Sequence, residues 1–197
     1  MPEPIRWGKR GAEPSDAVEP ATILLHKPVG FDAIAGNMPA VALVKDDARW
    51  ADDPSGIEPL KRHFQRLTPL VPLDNDASGL MVFTQDGRIW RRLTEDVDTI
   101  EQEFVVEVSG EIAPYGLSRL SHGLQFNGRT LPPCRVSWQN EIRLRFALKG
   151  VQSGQLRDMC AQVGLGVVAI RRLRIGKVGL AKMPVGAWRY LPVGERF

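Results

Sequence analysis

Cysteine and histidine are scarce in this sequence: 197 residues hold 2 cysteines and 3 histidines. Cys134 and Cys160 lie too far apart for a Cys-x-x-Cys pair. That excludes a disulfide scaffold and a dithiol or zinc-ribbon motif, and it fits a reduced, cytoplasmic setting. His26, His63 and His122 stand in unrelated contexts, with no His-x-x-x-His spacing for zinc and no Gly-x-Ser-x-Gly elbow for a nucleophilic serine. Long apolar runs are missing too. Leu80 to Phe83 and Gly164 to Ile170 are far short of the roughly 20 residues of a membrane span, and Met-Pro-Glu-Pro at the start has no secretory character.

Charge is present, and unevenly spread. Residues 1–100 carry 12 basic and 16 acidic side chains, whereas residues 101–197 carry 14 and 7. The overall +3 thus hides a first half of −4 and a second half of +7. A chain that turns one part of its surface toward a polyanion shows this asymmetry, and so does a solvated strand face.

Hydrophobic spacing gives the elements. Residues 1–21, with Pro2, Pro4, Pro14 and Pro20, read as an irregular leader, and residues 22–197 as one domain. Thr22 to Leu25 and Leu80 to Thr84 read as strands, and residues 45–59 as an acidic loop. Gly87 to Leu93 reads as a short helix with Ile89 and Leu93 on one face. Phe104, Val106 and Val108 alternate with Val105 and Glu107, and Ile142, Leu144, Phe146 and Leu148 with Arg143 and Arg145. Pro114 is placed in the first turn of a helix carrying Leu117, Leu120 and Leu124. Leu156, Met159, Cys160 and Val163 mark another helix, capped by Gly164, before β-rich sequence from Val167 to Ile175. Strands outnumber helices and do not alternate with them, so the expected fold class is α+β with a mixed, mainly antiparallel sheet.

Two motif matches fail on context. Gly164-Leu-Gly166-Val-Val-Ala169 fits a dinucleotide fingerprint, but it follows a helix and enters a strand, the reverse of what that motif requires. Asp74-Asn-Asp76 opens like a calcium loop whose twelfth position should be Glu and is Gln85. No metal site is expected. What remains is Asp74 itself, a carboxylate in a turn between two apolar runs. It reads either as a cap on its own turn or as a functional acid.

Five blocks change the balance. Leu24-Leu-His-Lys27-Pro28-Val-Gly30, Pro72-Leu73-Asp74-Asn-Asp-Ala-Ser78-Gly79-Leu80, Gln102-Glu-Phe104-Val-Val, Gly150-Val-Gln-Ser-Gly-Gln155-Leu156-Arg157-Asp-Met159-Cys160, and Arg174-Ile-Gly with Met183-Pro-Val-Gly186-Ala-Trp188-Arg189 follow in order. Together they resemble the RsuA/RluB/RluE/RluF family of RNA pseudouridine synthases, with Leu131-Pro-Pro-Cys134 and the closing block most like the RluF branch.

The resemblance implies the catalytic fold of that family, with a bent sheet and a central cleft. It implies isomerisation of a uridine in RNA without metal or organic cofactor. Asp74 matches the catalytic aspartate and Arg157 its ion-pair partner. Phe104 matches the ring that stacks on a flipped base, although the same residue also reads as an ordinary core position of its strand. Lys27, Gln155 and Leu156 match residues at the pocket, Lys27 either meeting phosphate or ordering the pocket floor. Arg171, Arg172, Arg174 and Lys177 are the expected phosphate contacts, with Arg143 and Arg145 beside them; a solvated strand face is the other reading.

Four positions depart from the family pattern: Pro72 (after Val71 in place of Gly) and Gly154 replace Arg, Gln102 replaces Lys, and Asp158 replaces a second Arg. Each lost cation removes roughly one phosphate contact. With the residues before 22 read as an irregular leader, the small N-terminal RNA-binding domain that most family members carry is expected to be missing, and substrate capture is expected to fall to the catalytic domain or a partner. Ribosomal RNA is the expected partner, with transfer RNA second, and the chain is expected to be a monomer. A scaffold or ribosome-assembly protein that binds RNA and has lost turnover is the alternative these departures suggest.

Overall fold

The computed structural model describes residues 19–197; most of the leader read at residues 1–21 lies outside them. In chain order the elements are β1 (Thr22–Lys27), β2 (Thr68–Leu70), β3 (Ser78–Thr84), α1 (Gly87–Glu95), β4 (Gln102–Ser109), α2 (Gly116–Ser121), β5 (Gln125–Phe126) and β6 (Arg129–Thr130). They continue with β7 (Arg135–Trp138), β8 (Arg143–Leu148), α3 (Gln155–Gln162), β9 (Gly166–Ile175), β10 (Val178–Gly179) and β11 (Trp188–Tyr190). The main sheet runs β11-β1-β3-β9-β4-β8-β7, with β2 on β3 and β10 on β9.

Each half of this sheet follows from its sequence pattern. β1 and β3 are unbroken buried runs because they are covered on both faces. Leu24, Leu80 and Val82 pack on one side with Leu93 and Ile175, while Ile23, Leu25, Met81 and Phe83 pack on the other with Trp188 and Tyr190. In β4 and β8 burial alternates, because only one face is covered. Phe104, Val106, Leu144 and Phe146 meet Leu156, Met159 and Cys160 of α3 there. The opposite face carries ion pairs.

The two halves meet where β3 lies beside β9. Among the described residues this is the parallel pairing between named strands, and it covers just Ser78↔Arg171 and Gly79↔Arg172. Gly79 has φ +116°, and a Cβ there would lie 2.3 Å from the Arg172 carbonyl oxygen. No other residue type tolerates both the conformation and the approach.

The helix ends obey local chemistry. Asp86 caps α1 by accepting from the Arg88 amide at 2.9 Å. α3 closes with Gly164 at φ +85°, its N–H reaching the Ala161 carbonyl at 3.0 Å and that of Leu165 reaching Cys160 at 2.9 Å. These are the paired bonds of a Schellman ending. Gly166 then begins β9, so Gly164-Leu-Gly166 leaves a helix and enters a strand.

Some expectations shift. The helix expected from Pro114 starts later, at Gly116, because Tyr115 takes a left-handed conformation at φ 59° and breaks the turn. Leu124 falls beyond that helix yet reaches the same core. The acidic segment is irregular apart from a short turn at Asp46–Ala48. Among the described residues, no helix is long and apolar enough to cross a membrane.

The seam makes a specific forecast. Gly79→Ala should cost at least about 3 kcal/mol, combining a left-handed side chain with a backbone clash. A urea midpoint equal to that of the parent chain would contradict this account of the β3–β9 contact.

Candidate active site

Asp74 sits between β2 and β3, in a turn closed by the Ala77 amide and the Asp74 carbonyl at 3.0 Å. Its side chain does not cap that turn. Oδ1 accepts from Ser153 Oγ at 2.5 Å and Oδ2 from the Gly154 amide at 3.0 Å, some 80 residues along the chain. The carboxylate therefore lies at the N-terminus of α3, where the partial positive charge of the unpaired amides favours it.

The backbone beside Asp74 is held from below by Lys27. That side chain is fully buried. Its Nζ donates to the carbonyls of Pro28 at 2.8 Å, Asn75 at 3.3 Å and Ala77 at 2.8 Å. Burial lowers its pKa, partly opposed by Asp32, Asp76 and Asp74. Of its two expected roles, Lys27 takes the ordering one, because its donors are spent on the turn. Asn75 adds a bond to Asp32 Oδ1 at 2.8 Å, and its carbonyl accepts from the Gly30 amide at 2.8 Å.

A cavity of about 550 Å³ opens beside this turn, with Asp74, Phe104, Leu156, Arg157, Ile170 and Arg172 in its wall. That volume is in the range of small-ligand pockets, roughly 300–1,000 Å³. Phe104 is 3% exposed, so it serves the strand core and the cavity wall together. Leu156 is a buried wall residue. Gln155 turns inward, where its Oε1 accepts from the Gln152 amide at 3.1 Å and shapes the loop before α3.

The expected ion pair between Asp74 and Arg157 is not made. Arg157 Nη2 instead contacts Asp76 Oδ2 at 2.9 Å. The reason is local: Asp76 offers a second carboxylate two residues along the turn, while Ser153 and Gly154 already satisfy Asp74. Among the described residues, Arg157 Nε is buried without a hydrogen-bond partner.

The four expected phosphate contacts separate. Arg172 is 2% exposed and is a floor residue of the cavity. It donates to the Leu80 carbonyl from Nε at 2.9 Å and Nη2 at 2.6 Å, to the Val71 carbonyl at 2.6 Å, and to Gln102 Oε1 at 3.3 Å. Burial pushes its guanidinium down to about 9, still a cation at neutral pH. Arg174 is neutralised by Glu101 at 2.7 Å and Glu103 at 2.9 Å. Arg171 and Lys177 are exposed.

Strand alternation separates Arg171 from Arg172, and a β-bulge between the Glu103–Arg174 and Phe104–Arg172 pairs turns Arg174 to the face of Arg171. Phe104 pairs with Arg172 and Val105 with Arg171, so Arg171 faces away from the cavity that Phe104 and Arg172 share. Arg143 and Arg145 lie on that far face with their own partners, Glu107 at 2.7 Å and Glu103. Apart from the exposed Arg171, the arginines named on this face are held in ion pairs.

Sequence reasoning missed several residues. Ser153 stands inside the fourth block with no role that the resemblance assigns to it. Gln102 and Gly154 are lost cations by the family pattern, but Gln102 supplies the neutral acceptor that Arg172 needs, and Gly154 at φ +77° turns its amide toward Asp74. An ammonium at position 102 would face a buried guanidinium. Val71 is held at φ 47°, an unfavourable conformation for a β-branched residue, with its carbonyl on Arg172.

No family model matches the chain. It is 28% identical over 183 residues to the dual-specificity RNA pseudouridine synthase RluF of Escherichia coli (strain K12), covering 93% of this chain and 58% of that protein. It is 30% identical over 124 residues to the ribosomal large subunit pseudouridine synthase B of Yersinia pestis, covering 60% and 39%. The chain thus spans about three-fifths of the length of the RluF relatives it matches. A crystal structure of a pseudouridylate synthase shares the fold, with a TM-score of 0.72 at 20% identity over 88% of this chain and 70% of the other.

The buried guanidinium should dominate local stability. Arg172→Met keeps the apolar stem but leaves the Leu80 and Val71 carbonyls unpaired, an expected loss of about 2–5 kcal/mol. Equilibrium unfolding in urea measures it, and an unchanged midpoint would show those bonds to be dispensable.

Proposed function

Because the chain is a relative of RluF and other RsuA-family pseudouridine synthases over most of its length, we propose that it converts a uridine to pseudouridine within a structured RNA. Residues 22–197 form the catalytic domain in this reading. The observation that carries it is the Asp74 carboxylate on the wall of a cavity that also presents a phenyl face at Phe104 and the guanidinium groups of Arg157 and Arg172.

The chemistry needs no atom or electron from outside the substrate and water. The C1′–N1 bond breaks, the base turns, C5 joins C1′, the C5 hydrogen leaves as a proton and N1 gains one. A uridine in a helix is out of reach, so the base is extruded into the cavity, where the ring of Phe104 replaces part of its lost stacking. Asp74 acts either as a nucleophile at C1′ or as the base or stabiliser of a glycal-like route, in which the proton taken from C2′ is returned as C5 joins C1′. In both routes an oriented carboxylate in a partly enclosed site contributes more than one in water. Phe104 offers no hydroxyl, so proton transfer falls to Asp74 and water.

Ribosomal RNA is the proposed substrate, with transfer RNA second, since a relative is named for the large ribosomal subunit. Recognition rests on a loop with an extrudable base, which side chains read better than an A-form groove. Arg171 and Lys177 remain the exposed cations of the expected set and serve long-range steering. The second reading, an RNA-binding protein without turnover, draws on the Arg157–Asp76 pair, which leaves Asp74 without its expected cation.

Release of tritium from C5-labelled uridine in RNA separates the two readings. The parent chain should release tritium in proportion to pseudouridine formed, and Asp74→Asn should lower the rate on the order of 10³-fold or more. Full turnover in Asp74→Asn would remove that residue from the mechanism, and salt-sensitive RNA binding with no release by the parent chain would establish the second reading. Phe104→Leu, which keeps apolar volume in the strand, should weaken use of the RNA by about 1–3 kcal/mol in kcat/KM through lost stacking.

A further inference from the structure

We propose that Ser153 is the positioning residue of the Asp74 carboxylate, a role that rests on Asp74 acting as the functional acid. Ser153 Oγ and the Gly154 amide take the two carboxylate oxygens separately, at 2.5 and 3.0 Å. Two donors on two oxygens fix the plane of the carboxylate as well as its place. A hydroxyl donating to a carboxylate is a charge-assisted contact, among the stronger hydrogen bonds of proteins.

The support behind these donors is built rather than incidental. The loop from Gly150 to Gly154 is closed by two bonds between the same residues, Gln152 N–H to Gln155 Oε1 at 3.1 Å and Gln155 N–H to the Gln152 carbonyl at 3.1 Å. Ser153 lies inside that closure. Gly154 holds φ +77°, which aims its amide at Asp74, and α3 begins at the next residue. On the other side of the turn, Lys27 fixes the carbonyls of Asn75 and Ala77. The Asp74 loop is thereby pinned at both ends, and its side chain is oriented by neutral groups.

Arg157 is left with a different task. Its guanidinium is engaged by Asp76, so orientation of Asp74 does not depend on it in this structure. A carboxylate held on both oxygens by a hydroxyl and an amide stays in one geometry at the cavity wall without a cationic partner. Loss of such orientation lowers the rate of a bound substrate's reaction without weakening its binding.

The test uses the full chain and, as probe, total RNA labelled with [5-³H]uridine from cells lacking this gene. Ser153→Ala should lower kcat by about 10–100-fold with KM within about twofold of the parent, and Ser153→Thr, which restores the hydroxyl, should recover most of the loss. A Ser153→Ala enzyme with parental kcat, or one changed in KM alone, would overturn the assignment. Amide exchange at Gly154 provides a readout that needs no turnover. Exchange in Ser153→Ala should accelerate about tenfold as the carboxylate loosens, while protection inside α3 is retained. Unchanged exchange overturns the clamp. Accelerated exchange in a chain that releases no tritium upholds the clamp and rejects the proposed activity, so the two failures are distinguishable.

Discussion

A buried guanidinium joins the two halves of this protein. The parallel contact between β3 and β9 spans two residue pairs, too few to hold a seam by backbone pairing. Arg172 supplies the missing links by donating across the seam to Leu80 and Val71 and along it to Gln102. Its hydrogen-bond partners are carbonyl groups, so the positive charge stays under the cavity floor instead of being cancelled there. Burying a charge is costly, and a satisfied fork of donors is what makes it tolerable. The glycine at position 79 is the steric counterpart of the same contact.

The site inherits its geometry from that seam. Val71 is the residue through which Arg172 grips the chain ahead of Asp74, and Lys27 grips the chain just after it. The N-terminus of α3 closes over the side chain. Three separate elements thus determine where one carboxylate lies, which explains how an irregular turn holds a fixed position. The price is a strained Val71, a conformation kept only because its surroundings over-determine it.

Electrostatics divide by face. The positive excess of the second half suggested a cationic surface for RNA, but strand alternation sends Arg143 and Arg145 to the side opposite the cavity, and the β-bulge between the Glu103–Arg174 and Phe104–Arg172 pairs sends Arg174 there too, where Glu101, Glu103 and Glu107 meet them. Those exposed pairs contribute little to stability individually. They leave the charge that bears on the cavity to Arg157 and to the floor residue Arg172. The apparent loss of cations at Gln102 and Gly154 becomes intelligible in this frame, since both positions serve a neighbour that the sequence alone does not bring near them.

Local periodicity determined much of the fold. The doubly buried runs at β1 and β3, the alternation of β4 and β8, and the α3 helix with its glycine ending all arise from contacts or spacings a few residues apart, which the sequence displays directly. Short strands such as β2, β7 and β11 were not legible, because three or four residues carry too little pattern and are strands only through their partners. Asp74, Phe104 and Leu156 were legible by resemblance to a family, and they line one cavity. The partners of Asp74 and Arg157 were decided by tertiary structure alone. Which of two nearby carboxylates meets a guanidinium, and whether a hydroxyl 79 residues away reaches the other, depends on distances of an ångström set by the packing of the whole sheet.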